Sequence, residues 1–237
     1  RFTWTFGRDV GQGLDFTRVM VFDGQGFMVR KKLGVKSGKE LNGATFCLTT
    51  GATTESNVSD FFRTHGMKFK QVTFGSMGEA QKAYDQGRCD VFVTDKFGLG
   101  ARRLAMTNPG DHIILPETIS NEPISPMVPH GDQVWRDIVV WTLNSLITAE
   151  EYGITSKNID KMRSSSTNPF IQRVLGKTGK FGGKIGLGKD WAYRAIKAVG
   201  NYGEIWENHL GKHGLGMPRG KNELYTNGGL LISPPFR

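Results

Sequence analysis

The sequence predicts an α/β fold of two lobes, one of them a complete small α/β unit bracketed by extended connections. Three observations carry this. Strand-like and helix-like segments alternate with short connections from Leu33 to about Ser120. An extended apolar stretch, 16–32, enters that region, and a Pro-rich one, 123–132, leaves it. Strong helical patterns follow the second stretch, so the chain divides at 1–33, 34–121 and 122–237, with the middle segment inserted into the outer two.

The elements justify this reading in order. In "RFTWTFGRD", Phe2, Trp4 and Phe6 alternate with Thr3, Thr5 and Gly7, the pattern of a strand end. "FTRVMVFDGQGFMVRKK" reads as an extended connection broken by a turn-like Asp23-Gly24-Gln25-Gly26. "GATFCLTT" (43–50) is a short apolar run, hence a strand. "TTESNVSDFFRTHG" places Val58, Phe61 and Phe62 at helical spacing and Gly66 at a C-terminal stop. "MKFKQVTF" (67–74) alternates as a strand does, and "SMGEAQKAYDQG" opens with Ser76 and Glu79 in capping-box register. "CDVFVTD" (89–95), "GLGARRLAM" and "HIILPE" (112–117) read as strand, helix and strand, giving a mostly parallel sheet. From Asp132 a long helix runs to about Tyr152, with Val134, Trp135, Ile138, Trp141 and Leu146 as its apolar stripe. "LGKTGKFGGKIGLGKD" is a Gly- and Lys-rich loop, 191–211 is a helix interrupted near Gly200, and the Pro-ended tail is irregular.

Composition narrows the function classes. The chain has 237 residues, 38% of them hydrophobic and 22% charged, an ordinary globular balance that argues against wholesale disorder. No uncharged apolar run approaches the roughly 20 residues of a membrane helix. A net charge of +9 raises the question of a polyanion partner, but Lys and Arg are scattered, with only a mild concentration from Arg173 to Lys197. No nucleic-acid partner is therefore assigned. Cys47 and Cys89 belong to no CxxC pair, so a metal site is not indicated, and they read as two thiols or one disulfide.

Several apparent motifs fail on their requirements. "LGKT" (175–178) has Ile171 where a phosphate loop needs its first Gly. "GQGLDF" and "GQGFMV" lack the third glycine of a dinucleotide fingerprint. His209 and His213 are four residues apart, with Leu210 where a zinc hydrolase carries Glu. No cofactor, metal or catalytic residue is assigned, and no enzyme activity is read from these motifs.

Three features point to a ligand. Arg8 follows a strand end and offers a planar fork for a carboxylate, although a lone Arg is more often a surface residue. "TTGATTES" (49–56) puts Gly51, Ala52 and Thr53 at a strand-to-helix turn, where free N–H groups favour an anion; plain capping by Thr53 or Thr54 is the simpler alternative. Asp95 ends a strand of the same sheet, at the carboxyl edge where open α/β sheets bind ligands, or else caps the next helix. Anion donors and one carboxylate together suit a zwitterion, the head group of an α-amino acid.

The residues then identify a resemblance. "FDGQGFMVRKKLGVKS" (22–37), "GRCDVFVTD", "RLAMTNPGDHIILPE", "WAYRAIKAVGNYGEIWE" and "GGLLISPPFR" resemble the substrate-binding proteins of general (polar) L-amino-acid ABC importers, across nearly the whole chain. The resemblance implies the type II periplasmic-binding-protein fold, two lobes with extended hinge connections and lobe 1 incomplete. It implies periplasmic residence, an L-amino-acid ligand and the membrane permease of an importer as partner. The family's T-x-T-x-x-R segment matches Thr3, Thr5 and Arg8, with Arg8 on the ligand carboxylate. Its G-T-T turn matches Gly51, Ala52 and Thr53, Ala52 replacing the usual Thr, and its ammonium-binding Asp matches Asp95, followed by Lys96 and Phe97 where small residues are usual. An oxidising compartment makes a Cys47–Cys89 disulfide the expectation. The family carries roughly a hundred residues ahead of the T-x-T-x-x-R segment, about a βαβαβ half-lobe. The alternative expectation is a truncated relative that binds amino acids weakly and forms a homodimer through uncovered lobe 1 surface, by exchange of elements between chains.

Overall fold

A computed structural model describes residues 2–237 and divides the chain into two compact units. Residues 23–122 form one, and residues up to 22 together with 123–237 form the other.

The chain begins with β1 (Phe2–Thr3), α1 (Phe6–Gly11), β2 (Leu14–Phe16) and β3 (Val21–Asp23). The alternation at Phe2, Trp4 and Phe6 suggested one strand end, but the strand covers two residues. Thr5 turns the chain into α1, its hydroxyl accepting from the Arg8 N–H at 3.4 Å. Polar residues with a capping Thr can start a helix as readily as continue a strand. Trp4 stacks on Phe16, ring centroids 5.4 Å apart.

The second unit is a three-layer sandwich. Its strands are β4 (Gln25–Arg30), β5 (Thr45–Thr49), β6 (Lys70–Phe74), β7 (Val91–Asp95) and β8 (His112–Ile114), in the order β6-β5-β7-β4-β8. Strand β5 runs parallel to β6 and β7, whereas β4 is antiparallel to both β7 and β8. The stretch read as an extended connection thus supplies an inner strand, and the sheet is mixed. Its pattern is continuous rather than alternating, buried from Gln25 to Val29, as a strand covered on both faces requires.

Helices α2 (Thr53–Thr64), α3 (Met77–Asp85) and α4 (Lys96–Leu104) cover the sheet. Side chains alternate between two cores. Phe27, Val29, Phe46, Leu48, Val91 and Val93 pack with Val58 and Phe62 of α2. Met28, Cys47 and Phe92 pack with Ala80, Tyr84 and Leu99 of α3 and α4. Ser76 and Glu79 form the capping box read from the sequence, and Gly66 takes the left-handed conformation (φ +64°) just past α2.

The first unit resumes with β9 (Glu122–Ser125) and β10 (Met127–Pro129). It continues as α5 (Gln133–Glu151), α6 (Ile159–Ser165), α7 (Pro169–Val174), α8 (Trp191–Val199) and α9 (Tyr202–His209). Strand β9 lies between β1 and β3, and β10 pairs with β2. Asp132 caps α5 as its sequence suggests, and α5 packs on α8 and α9. Its apolar stripe is only partly buried: Val134 and Trp135 are exposed, while Asn144 to Ala149 are buried. The tail is ordered against this unit. Asn222 exchanges hydrogen bonds with the Phe22 backbone, and Arg219, beside the rings of Tyr202 and Trp206, forms a partly buried pair with Glu150.

Candidate functional site

In the first unit, Thr3, Thr5 and Arg8 are consecutive parts of one turn. Thr3 is buried on β1, and its carbonyl accepts from Arg8 Nη1 at 3.0 Å. The guanidinium also lies over the Phe2 ring, 5.3 Å from its centroid. Arg8 therefore folds back from the first turn of a short helix capped by Thr5, its guanidinium itself held by one backbone carbonyl. A guanidinium has five N–H donors, so this anchor leaves most of the fork for an anion.

In the second unit, three segments meet at one edge of the sheet. β5 ends at Thr49, and the chain turns through Gly51 (φ +72°) into α2, whose first residue is Thr53. Ala52 occupies the capping position and provides no side-chain acceptor. Capping by a Thr, the plainer reading of this turn, does not occur, and N–H groups of the first turn remain for an anionic group. β7 ends at Asp95, and its Cα partner across the ladder is Gln25, the first residue of β4.

The acceptor at the start of α4 is Asp23. Its carboxylate takes the N–H of Phe97 at 3.1 Å and that of Gly24 at 2.7 Å. Burial pushes the Asp23 carboxyl up to about 6; the donors from Gly24 and Phe97 oppose this, and the Asp95 charge reinforces it. Lys96 turns to the Pro116 carbonyl at 2.7 Å, and burial lowers its pKa against the pull of Glu117 and Asp23.

Thr53 is built into a side-chain network that the sequence did not reveal. Its hydroxyl accepts from Gln25 Nε2 at 2.8 Å, Gln25 Oε1 accepts from Asn57 Nδ2 at 2.9 Å, and the same nitrogen donates to Glu122 Oε1 at 3.1 Å. The Ser120 hydroxyl also donates to Glu122, at 2.6 Å, while accepting from the Gln25 N–H at 3.1 Å. Gln25 and Glu122 are both buried. The one signal in the sequence was the Gly-flanked Gln25, read there as part of a turn.

Cys47 and Cys89 form a disulfide, Cα atoms 5.6 Å apart, inside the core beneath α3 and α4. Among the described residues no three His, Cys, Asp or Glu side chains gather as a metal site, and no helix is long and apolar enough to cross a membrane.

The chain is similar to several known proteins. The family described as "NMT1/THI5 like" matches residues 10–99. The glutamate/glutamine/aspartate/asparagine-binding protein BztA of Rhodobacter capsulatus is 50% identical over 236 residues, 99% of this chain and 70% of the relative. The general L-amino acid-binding periplasmic protein AapJ of Rhizobium johnstonii is also 50% identical, over 99% of this chain and 70% of its own length. An ABC transporter / periplasmic binding protein from Brucella ovis, solved with glutathione bound, superposes with a TM-score of 0.97. Its identity is 47%, covering 100% of this chain and 75% of that one. An ancestral arginine-binding protein bound to arginine gives a TM-score of 0.52 at 26% identity, over 68% of each chain.

Proposed function

Because the chain belongs to the family of amino-acid-binding proteins of ABC transporters, with the type II periplasmic-binding-protein fold, we propose that it captures L-amino acids in the periplasm for import. Proteins of this family bind and deliver; they are not enzymes. The observation that carries the reading is the edge of the second unit's sheet, where the uncapped start of α2 and the carboxylate of Asp95 close adjacent parallel strands. The α-carboxylate is assigned to Arg8, the Gly51 turn and the Thr53 hydroxyl, and the α-ammonium to Asp95. Thr3 and Thr5 shape the turn that presents Arg8.

The chemistry recognised is the zwitterionic head rather than one side chain. The γ-glutamyl end of glutathione presents the same α-ammonium and α-carboxylate as a free amino acid. That common head reconciles the amino acids in the relatives' names with the ligand of the Brucella protein. L-Glutamine, L-glutamate and glutathione are thus the probes of choice. Arg8→Ala removes charge-assisted bonds worth about 1.5–3 kcal/mol each, so affinity by titration calorimetry falls at least tenfold. Unchanged affinity for all three probes ends the assignment of Arg8.

A second reading, self-association, is favoured by apolar side chains of the first unit that stand in solvent. Phe6 is 83% exposed, Val134 55% and Trp135 49%. A homodimer covering them is compatible with ligand capture.

A further inference from the structure

We propose that the buried Glu122, acting through Asn57 and Gln25, fixes the Thr53 hydroxyl as a hydrogen-bond donor toward the ligand, making these three residues positioning residues for carboxylate recognition. The inference rests on the reading of Thr53 given above, and every atom in it belongs to the second unit.

The argument is one of direction. A carboxylate can only accept hydrogen bonds. Glu122 Oε1 accepts from Asn57 Nδ2 and from the Ser120 hydroxyl, so it sets which way the Asn57 amide faces. The same Asn57 nitrogen must then meet an acceptor on Gln25, which turns Oε1 of Gln25 toward Asn57. The Gln25 nitrogen is thereby aimed at Thr53, and a nitrogen of an amide can only donate. The Thr53 oxygen is engaged as an acceptor, and its one proton is left to point elsewhere. That proton is thereby free to be donated to an anion such as a carboxylate.

The cost of the arrangement supports a role in binding. Gln25 and Glu122 are each only 2% exposed, and the second oxygen of Glu122 is buried with no hydrogen-bond partner among the described residues. A buried carboxylate with an unmet oxygen destabilises the fold, and an apolar pair of similar shape would pack more favourably. The relay also crosses long stretches of chain, with separations of 28, 32 and 65 residues. It therefore ties the start of β4, the first turn of α2 and the exit strand into one unit.

The test is Gln25→Glu, studied by calorimetry with L-glutamine beside wild type at each pH. The introduced carboxyl replaces a donor by an acceptor, so the Thr53 proton turns inward and affinity at pH 8 falls about tenfold to a hundredfold. Glu122, linked through Asn57, and Asp95, opposite in the ladder, resist ionisation of that carboxyl. Once protonated it donates again, so the ratio to wild type recovers toward pH 5. Gln25→Met, which keeps the volume without a donor or acceptor, weakens binding only several-fold, and neither change costs more in a Thr53→Ala background. A loss that is the same at every pH, or that adds to Thr53→Ala, overturns the relay and leaves a packing effect. If Thr53→Ala weakens binding while both Gln25 variants bind as wild type, the relay alone fails. If Thr53→Ala itself changes nothing, the assignment of Thr53 fails and the relay with it. Folding of each variant is checked by circular dichroism, and Gln25→Met decides the matter if Gln25→Glu does not fold.

Discussion

At the scale of single residues, the side chains proposed to meet the ligand and those that hold them have different visibility. Arg8, Thr53 and Asp95 stand out in the sequence because turn chemistry and strand ends mark them. Asp23 and Glu122 do not, because one partner of each, Phe97 and Asn57, is distant in sequence and their burial has no local signature. Asp23 is the more testable. Its carboxyl titrates near 6 where the ordinary value is 3.8. A folded value above the unfolded one means that the native state holds the extra proton between these limits. The stability this contributes is complete below about 3.8 and is lost as pH rises through about 6. Carbon-13 NMR of the Asp23 carboxyl will give a midpoint near 6 in the free protein and a lower one with L-glutamine bound, since an ammonium beside Asp95 offsets its charge. A midpoint near 4 in the free protein would show that burial of this group is incomplete.

At the scale of elements, local chemistry was legible and pairing was not. Ser76 and Glu79, Gly66, Asp132 and the break at Gly200 mark helix ends by short-range rules, and the helices end there. The place of β4 between β7 and β8 depends on pairing with residues 62 to 86 positions away, which no local pattern encodes. The same holds for α1, where alternation over five residues was too short to separate strand from capped helix. The disulfide couples β5 to the segment leading into β7 and closes a loop of 42 residues. Replacing both cysteines by Ala lowers stability by about 2–4 kcal/mol, mainly through the unfolded chain. Urea unfolding with and without reductant checks this: the wild type reduced with thiol should match the double variant, and a reduced wild type as stable as the oxidised form contradicts it.

At the scale of the whole molecule, extended segments that bracket an alternating one suggest an inner lobe over 34–121, and the second compact unit runs from Asp23 to Glu122. The exposed Phe6, Val134 and Trp135 bear on assembly. Light scattering will return a mass near twice the 26.2 kDa of the chain at high concentration, and Phe6→Ser with Trp135→Ser will restore the monomer. A single species of 26.2 kDa throughout the concentration range removes the homodimer. The ends of the second unit, finally, are fastened to one another. The Gln25 carbonyl accepts from the Ile119 N–H at 2.9 Å, and its own N–H reaches Ser120 at 3.1 Å. A Cβ at Gly24 would fall 2.2 Å from the Thr118 methyl, so only glycine lets the two segments pass so closely. Entry and exit thus form a clasp. Residues 23–122 amount to a cassette with adjoining termini, so a segment exchanged for it would join the rest of the chain at one place.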